Sequence, residues 1–188
     1  EVKIIKITND KIPSFSQSIE QPVETIGEII VKGDMVTREY FAMPQKTRLA
    51  KISDEHGFWH RMGDVGKMDE NGHLWFCGRK DHSIEHHGKT YFSIPLESYF
   101  FDFDVEKVAL IKGRNTPAIC FQIPKKQFSK RKSLKDQAQK RVQNHPNLEG
   151  IEEFYFCSQF PVDVRHNIKI DRNLLSKYAH QGILSLEF

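Results

Sequence analysis

The stretch Asp64-Val65-Gly66-Lys67-Met68-Asp69-Glu70-Asn71-Gly72-His73-Leu74-Trp75-Phe76-Cys77-Gly78-Arg79-Lys80-Asp81 carries the chain's strongest turn signal and, at its end, a change of pattern. Asn71-Gly72 suits a tight hairpin because both residues tolerate positive φ, so 64–68 and 73–77 are expected to pair across a turn at 69–72. Upstream, Val2-Lys3-Ile4-Ile5-Lys6-Ile7 and Ile26-Gly27-Glu28-Ile29-Ile30-Val31 are further β-rich runs, and residues 1–80 are expected to form a small barrel or sheet. Beyond Gly78-Arg79-Lys80-Asp81 no Pro- or Ser-rich tether follows, so that point is expected to be a short hinge. Downstream, a two-stranded hairpin is expected at 83–85 and 90–92 around His86-His87-Gly88. A helix is entered at Pro95, where a missing N–H costs nothing. Strands follow at 105–111 and 118–123, then a helix at 134–144, a strand at 151–156 and a final helix at 172–180. The fold class is α+β: a β-rich subdomain over 1–80 and a compact α+β domain over 81–188.

The composition narrows the function classes. With 188 residues, 38% of them hydrophobic and 11% aromatic, the chain can fill one ordinary core or two small ones. Its first residue is Glu rather than Met, so it is expected to be a piece of a longer protein. No apolar run approaches the roughly 18 residues of a membrane span, and the first thirty lack a signal-peptide layout, so a cytoplasmic location is expected. The net charge is +3. The cations of 125–140 alternate with polar residues above a stripe of Leu134, Ala138 and Val142, as on the solvated face of an amphipathic helix. No aromatic platform accompanies them, so no nucleic-acid partner is expected. Cys77, Cys120 and Cys157 are widely spaced and expected to be reduced core residues. His82, His86 and His87 have no Cys or carboxylate at a matching spacing and are expected to be surface or packed histidines, leaving no metal site. Gly88-Lys89-Thr90 imitates the end of a phosphate-binding loop, but the first glycine of that motif falls on Ser83, which makes it a hairpin turn.

Three separated motifs carry the chemistry: His60-Arg61-Met62-Gly63-Asp64, Gly78-Arg79-Lys80-Asp81, and the run from Pro161 to Lys169-Ile170-Asp171-Arg172. In this order they resemble the adenylate-forming superfamily of acyl-CoA synthetases, luciferases and peptide-synthetase adenylation domains, and specifically its C-terminal portion. Gly27-Glu28-Ile29-Ile30-Val31-Lys32-Gly33, Tyr40-Phe41 with Pro44, and Ile94-Pro95-Leu96-Glu97 are similar to that family's intervening text. The resemblance implies nucleotide-binding roles for Asp64 and Arg79, a hinge at Asp81 and a catalytic lysine at Lys169, with 81–188 acting as a mobile lid. An ionised carboxylate suits the two ribose hydroxyls of ATP, and a guanidinium suits ribose or phosphate oxygens. A lysine about 4 Å from two approaching anions offsets on the order of 4 kcal/mol each at an effective dielectric near 20. Read alone, Asp64 is a cap of its hairpin, Arg79 a surface salt bridge and Lys169 an ordinary exposed lysine.

The text before Lys169 is Asn167-Ile168, where the family commonly has serine-glycine. With Val36-Thr37-Arg38-Glu39-Tyr40-Phe41 and Leu74-Trp75-Phe76-Cys77-Gly78-Arg79-Lys80, this departure resembles the β-lactone synthetases of bacterial olefin biosynthesis. The resemblance implies ATP with Mg2+, and adenylation of a long-chain, β-hydroxy carboxylic acid whose own hydroxyl closes a lactone. A lengthened stretch between Gly88 and Pro95 puts coenzyme A in doubt. The family's pyrophosphate-binding loop and acyl pocket are absent, so an upstream N-terminal domain is the expected partner and the isolated chain is expected to be inactive. Two alternatives stand beside this: an acyl-CoA synthetase with coenzyme A as acceptor, and a non-catalytic accessory module binding a nucleotide or a partner.

Overall fold

The computed structural model describes residues 1–15, 19–163 and 169–185. The chain divides into two compact units, Glu1–Asp81 and His82–Phe188. In the first, β1 (Val2–Ile5), β2 (Gly27–Val31), β3 (Lys51–Asp54), β4 (Gly57–Met68) and β5 (Leu74–Arg79) make one antiparallel sheet, in the order β1-β2-β4-β3 with β5 also on β4. His60 pairs with Val31 on one side and Lys51 on the other, while Val65 pairs with Glu28 and Gly78. β3 and β5 therefore follow one another along the edge of β4 that faces away from β2.

One face of this sheet holds the first unit's core. Ile5, Ile30, Ile52 and Trp59 are buried there beneath Ile12, Phe15 and Ile19 from the segment that follows β1, with the rings of Phe15 and Trp59 5.5 Å apart. The hairpin over 64–77 forms as its turn chemistry requires: Gly72 takes φ +80°, and the Asp69 carboxylate accepts the N–H groups of Asn71 and His73 and the indole N–H of Trp75. Helix α1 (Pro44–Ala50), strand β3 and the first half of β4 are elements that the hydrophobic pattern does not announce. The reason is visible in α1, none of whose residues is buried, so no apolar stripe marks it.

In the second unit, β6 (Ile84–His86) and β7 (Lys89–Tyr91) pair around His87 and Gly88, whose φ angles of 48° and 76° are those of a tight hairpin turn. Helix α2 (Ser93–Glu97) starts two residues before Pro95. A three-stranded sheet in the order β10-β9-β8 joins β8 (Lys107–Lys112) antiparallel and β10 (Glu153–Cys157) parallel to β9 (Pro117–Gln122). The parallel pair needs a crossover, which α3 (Arg131–Asn144) supplies. Leu134 and Ala138 of α3 are buried and Val142 packs beside them, the stripe read from the sequence.

Every residue of β9 is buried because the sheet is covered on both faces. Ile119 and Phe121 point into a core shared with α2 and α3, while Ala118 and Cys120 point into a core shared with α4 (Arg172–His180). Cys77, Cys120 and Cys157 are buried and free, and burial pushes the thiols of Cys77 and Cys120 up from their ordinary range. No helix among the described residues is long and apolar enough to cross a membrane.

Candidate functional site

Asp64 and Arg79 are fifteen residues apart in sequence, and the hairpin sets them directly opposite one another. Paired residues on adjacent strands project from the same face, and Arg79 Nη1 donates to Asp64 Oδ1 at 2.9 Å and to the carbonyl of Met62 at 3.1 Å. Gly63, between them, has φ +71°, and a Cβ there would lie 3.3 Å from Arg79 Nη2. A glycine at this position both permits the bend in β4 and leaves room for the guanidinium. The Asp64 carboxylate does not cap the turn, a task performed by Asp69. Among the described residues Asp64 Oδ2 accepts no hydrogen bond, and the Arg79 side chain is 49% exposed. A carboxylate that is 16% exposed beside a half-exposed guanidinium fits a vicinal diol or a diol with a phosphate. Among the described residues no group of three or more His, Cys, Asp or Glu is placed to hold a metal ion.

The same motifs supply a second cluster that pattern reading does not reveal. Glu28 is 1% exposed and Arg61 6% exposed. Arg61 grips Glu28 through Nε at 3.1 Å and Nη2 at 2.7 Å, and donates further to the carbonyls of Asp10, Leu49 and Thr8. Lys80 Nζ adds contacts to both Glu28 oxygens at 3.3 and 3.4 Å and to the Thr8 carbonyl at 3.1 Å. Two cations thus share one buried carboxylate, and backbone carbonyls satisfy their remaining donors. Residue type at Glu28, Arg61 and Lys80 gives no hint of burial; the available signal is that all three lie inside the quoted motifs without a ligand role of their own. Lys80 stands between Arg79 and Asp81, so its tether fixes the start of the turn over Lys80–His82, in which Asp81 is exposed.

Lys169 belongs to the second unit. Its carbonyl accepts the Asp163 N–H at 2.9 Å, the Asp171 N–H reaches the Pro161 carbonyl at 2.9 Å, and Val162 bridges Ile170, forming a two-stranded neck. Asn167 and Ile168 lie outside the described residues. The three residues after Lys169 are anchored: Ile170 packs on the core beneath α4, Asp171 caps α4 by accepting the Leu174 N–H, and Arg172 pairs with Glu97 at 2.6 Å. Lys169 itself is exposed and makes no ion pair among the described residues. Glu97 also accepts the Leu110 N–H, and burial pushes its carboxyl up while Arg172 pulls it down.

No family model matches the chain. It is 35% identical over 192 residues to the olefin beta-lactone synthetase of Xanthomonas campestris, covering 96% of this chain and 34% of that protein. To the olefin beta-lactone synthetase of Stenotrophomonas maltophilia it is 34% identical, covering 95% of this chain and 34% of that protein. The chain is a homologue of the olefin beta-lactone synthetases. It spans about a third of the length of these curated relatives. Its fold is shared with the structure of an ATP-bound RpMatB-BxBclM chimera, which superposes with a TM-score of 0.73 at 19% identity, over 97% of this chain and 35% of that one.

Proposed function

We propose that this chain is the nucleotide-closing portion of an ATP-dependent adenylate-forming enzyme that activates a long-chain β-hydroxy acid and releases it as a β-lactone. The observation that carries this reading is the Asp64–Arg79 pair, set face to face by strand register inside two motifs of a homologue of olefin beta-lactone synthetases. Asp64 binds the ribose diol through its carboxylate, and Arg79 orients that carboxylate and the neighbouring phosphate. Lys169, held at the neck of its loop by the two flanking hydrogen bonds, supplies the cation that lets a substrate carboxylate approach the α-phosphate. ATP is the co-substrate: the carboxylate oxygen bonds to the α-phosphorus and pyrophosphate leaves. The substrate's β-hydroxyl oxygen then bonds to the acyl carbon, its proton passes to solvent and AMP departs. An internal nucleophile works at high effective concentration, which helps offset the strain of a four-membered ring.

In this reading Asp81 is the pivot, the second unit is the lid, and the acyl pocket and the Mg2+ site belong to the two thirds of the relatives that this chain does not span. The reaction takes place in the cytoplasm. Replacing Lys169 by Ala in the full-length enzyme is expected to abolish ATP–pyrophosphate exchange with a fatty acid while leaving ATP binding intact; unchanged exchange refutes its role. Mass spectrometry of products from a β-hydroxy acid and ATP, with and without coenzyme A, separates lactone from thioester. A thioester formed only with coenzyme A would make the enzyme an acyl-CoA synthetase, the activity named for the mitochondrial medium-chain acyl-CoA ligase ACSF2 that matches 68% of this chain.

A further inference from the structure

Charge is distributed unevenly along the second unit. Residues 125–141 hold eight of the chain's 28 Lys and Arg but one of its 25 Asp and Glu, Asp136, so this stretch carries +7 while the other 171 residues together carry −4. It forms a short helical turn segment over Lys125–Lys130 and then most of α3, whose fully buried residues are Leu134 and Ala138. Two of the cations are neutralised by the loop that follows α2: Lys130 pairs with Asp104 at 2.6 Å and Arg141 with Asp102 at 2.8 Å. Lys125, Lys126, Lys132, Lys135 and Lys140 are exposed, and their side chains make no ion pair among the described residues.

This arrangement works against the fold. Arg131 and Lys135 stand four residues apart on α3, the spacing at which like charges repel. The first turn of α3 holds Arg131 and Lys132 and no acid, although the positive end of the helix dipole disfavours cations there. A helix whose only task is to shield a core mixes the two signs on its wet face. The fold also sets rings beneath the cations, since Phe154 and Phe156 of β10 line one groove with Arg131, Lys132 and Lys135. Both rings pack on the core and are half-buried, and Phe128 lies under the Arg131 guanidinium at 4.8 Å. None of the three is free for a base to stack on, which disfavours a single-stranded nucleic acid.

We propose that the wet face of α3, with the segment leading into it, is a peripheral membrane-binding surface whose occupant is a bilayer of anionic phospholipid. The five uncompensated cations are all lysines, compact point charges on flexible stems, and these suit a mobile layer of phosphates better than a single fixed anion. Clusters of about four to eight such cations on an amphipathic helix are what an anionic leaflet attracts. The lysine stems and the half-buried rings below them add apolar contact at headgroup depth, with no need for insertion. The choice of a bilayer over an acidic protein rests on the function proposed above: a long-chain acid and its lactone partition into lipid, so an enzyme held at that surface meets its substrate and releases its product there. The readout is adsorption and not turnover, so either reading can fail while the other stands.

The test is cosedimentation of the 188-residue chain with vesicles of equimolar phosphatidylglycerol and phosphatidylcholine, and with vesicles of phosphatidylcholine alone. Binding to the anionic vesicles is expected to be stronger by about tenfold or more, and to be lost in about 0.5 M salt, which screens surface charge. K132Q/K135Q/K140Q is expected to weaken it by about a hundredfold, since each lysine at an anionic surface contributes about fivefold. K125Q/K126Q, outside α3, is expected to weaken it by about twentyfold and carries the test if circular dichroism shows that the first variant has lost helix. K107Q/K112Q/K177Q removes as much charge from exposed positions on β8 and α4 and is expected to bind within about threefold of the parent. Equal binding to both kinds of vesicle, no loss in either patch variant, or an equal loss in the β8–α4 variant would each overturn the proposal. Tighter binding to a DNA oligonucleotide than to the anionic vesicles, at equal phosphate concentration, would overturn it by naming a nucleic acid as the occupant.

Discussion

Replacing Arg61 by Met should destabilise the first unit more than any surface change in it, because five hydrogen bonds to Glu28, Thr8, Asp10 and Leu49 end on this one guanidinium. Glu28 would keep a single cationic contact, with Lys80 at 3.3 Å, while remaining 1% exposed. Removing one partner from a buried pair costs about 3–5 kcal/mol, chiefly through the charge left behind. A unit of this size holds roughly 4–12 kcal/mol in all, so the loss takes about a quarter or more of it. Trp59, buried in the same core, reports unfolding by fluorescence in a urea titration. The double replacement E28Q/R61M should be less destabilised than the sum of the two single changes, by about 1–3 kcal/mol, since only Lys80, at the margin of the cluster, then loses its partner. If R61M loses less than about 1 kcal/mol, or the two changes simply add, the cluster is not what holds these strands together.

Other outcomes can be checked with the same molecule. D64N in the full-length enzyme should weaken ATP binding by about 1.5–3 kcal/mol, the worth of hydrogen bonds to a charged acceptor, and calorimetry that finds equal affinity refutes the ribose role. G63A should lower stability by about 1 kcal/mol or more, because its φ of +71° disfavours any Cβ and the guanidinium of Arg79 lies in the way. Asp69 is held down at about 2, first by the Trp75 indole N–H and then by backbone N–H groups and His73. Its contribution to the hairpin is complete above the ordinary carboxylate value near 4 and is lost as pH falls toward 2; Trp75 emission that titrates near pH 4 in the folded chain would contradict this. A protease of broad specificity should cut first within Lys80–His82, where Asp81 is exposed; early cuts elsewhere with that segment protected would remove the pivot.

The legible parts of this fold are those whose signal is local. Gly72, His87 and Gly88 take the positive φ of their turns, while Asn71 does not, the stripe of Leu134, Ala138 and Val142 lies on the core side of α3, and α4 runs over the expected Arg172–His180 with Asp171 capping it. The illegible parts depend on partners far along the chain. Nothing in 44–54 distinguishes α1 and β3 from a loop, because α1 buries nothing. Glu28 and Arg61 look like solvent-facing charges in an alternating strand, and only their pairing across 33 residues reveals that they face inward. The site shows the same division. Asp64, Arg79 and Lys169 were selected by motif, but that Arg79 sits on Asp64 itself is set by the hairpin register. That the three residues after Lys169 are engaged elsewhere follows from tertiary contacts that no pattern encodes.

The Glu97–Arg172 pair joins residues 75 positions apart. A ribosome adding about 5–20 residues per second needs roughly 4–15 seconds to make that interval, during which Glu97 has been synthesised and its counterion has not. Closing the hydrophobic shell around an unpaired carboxylate is unfavourable, so α2 and β8 stay unlocked until α4 leaves the exit tunnel. The second unit thereby acquires a built-in delay: it matures only once α4 has been synthesised, and a nascent chain stalled before Arg172 presents an open sheet for chaperones to recognise.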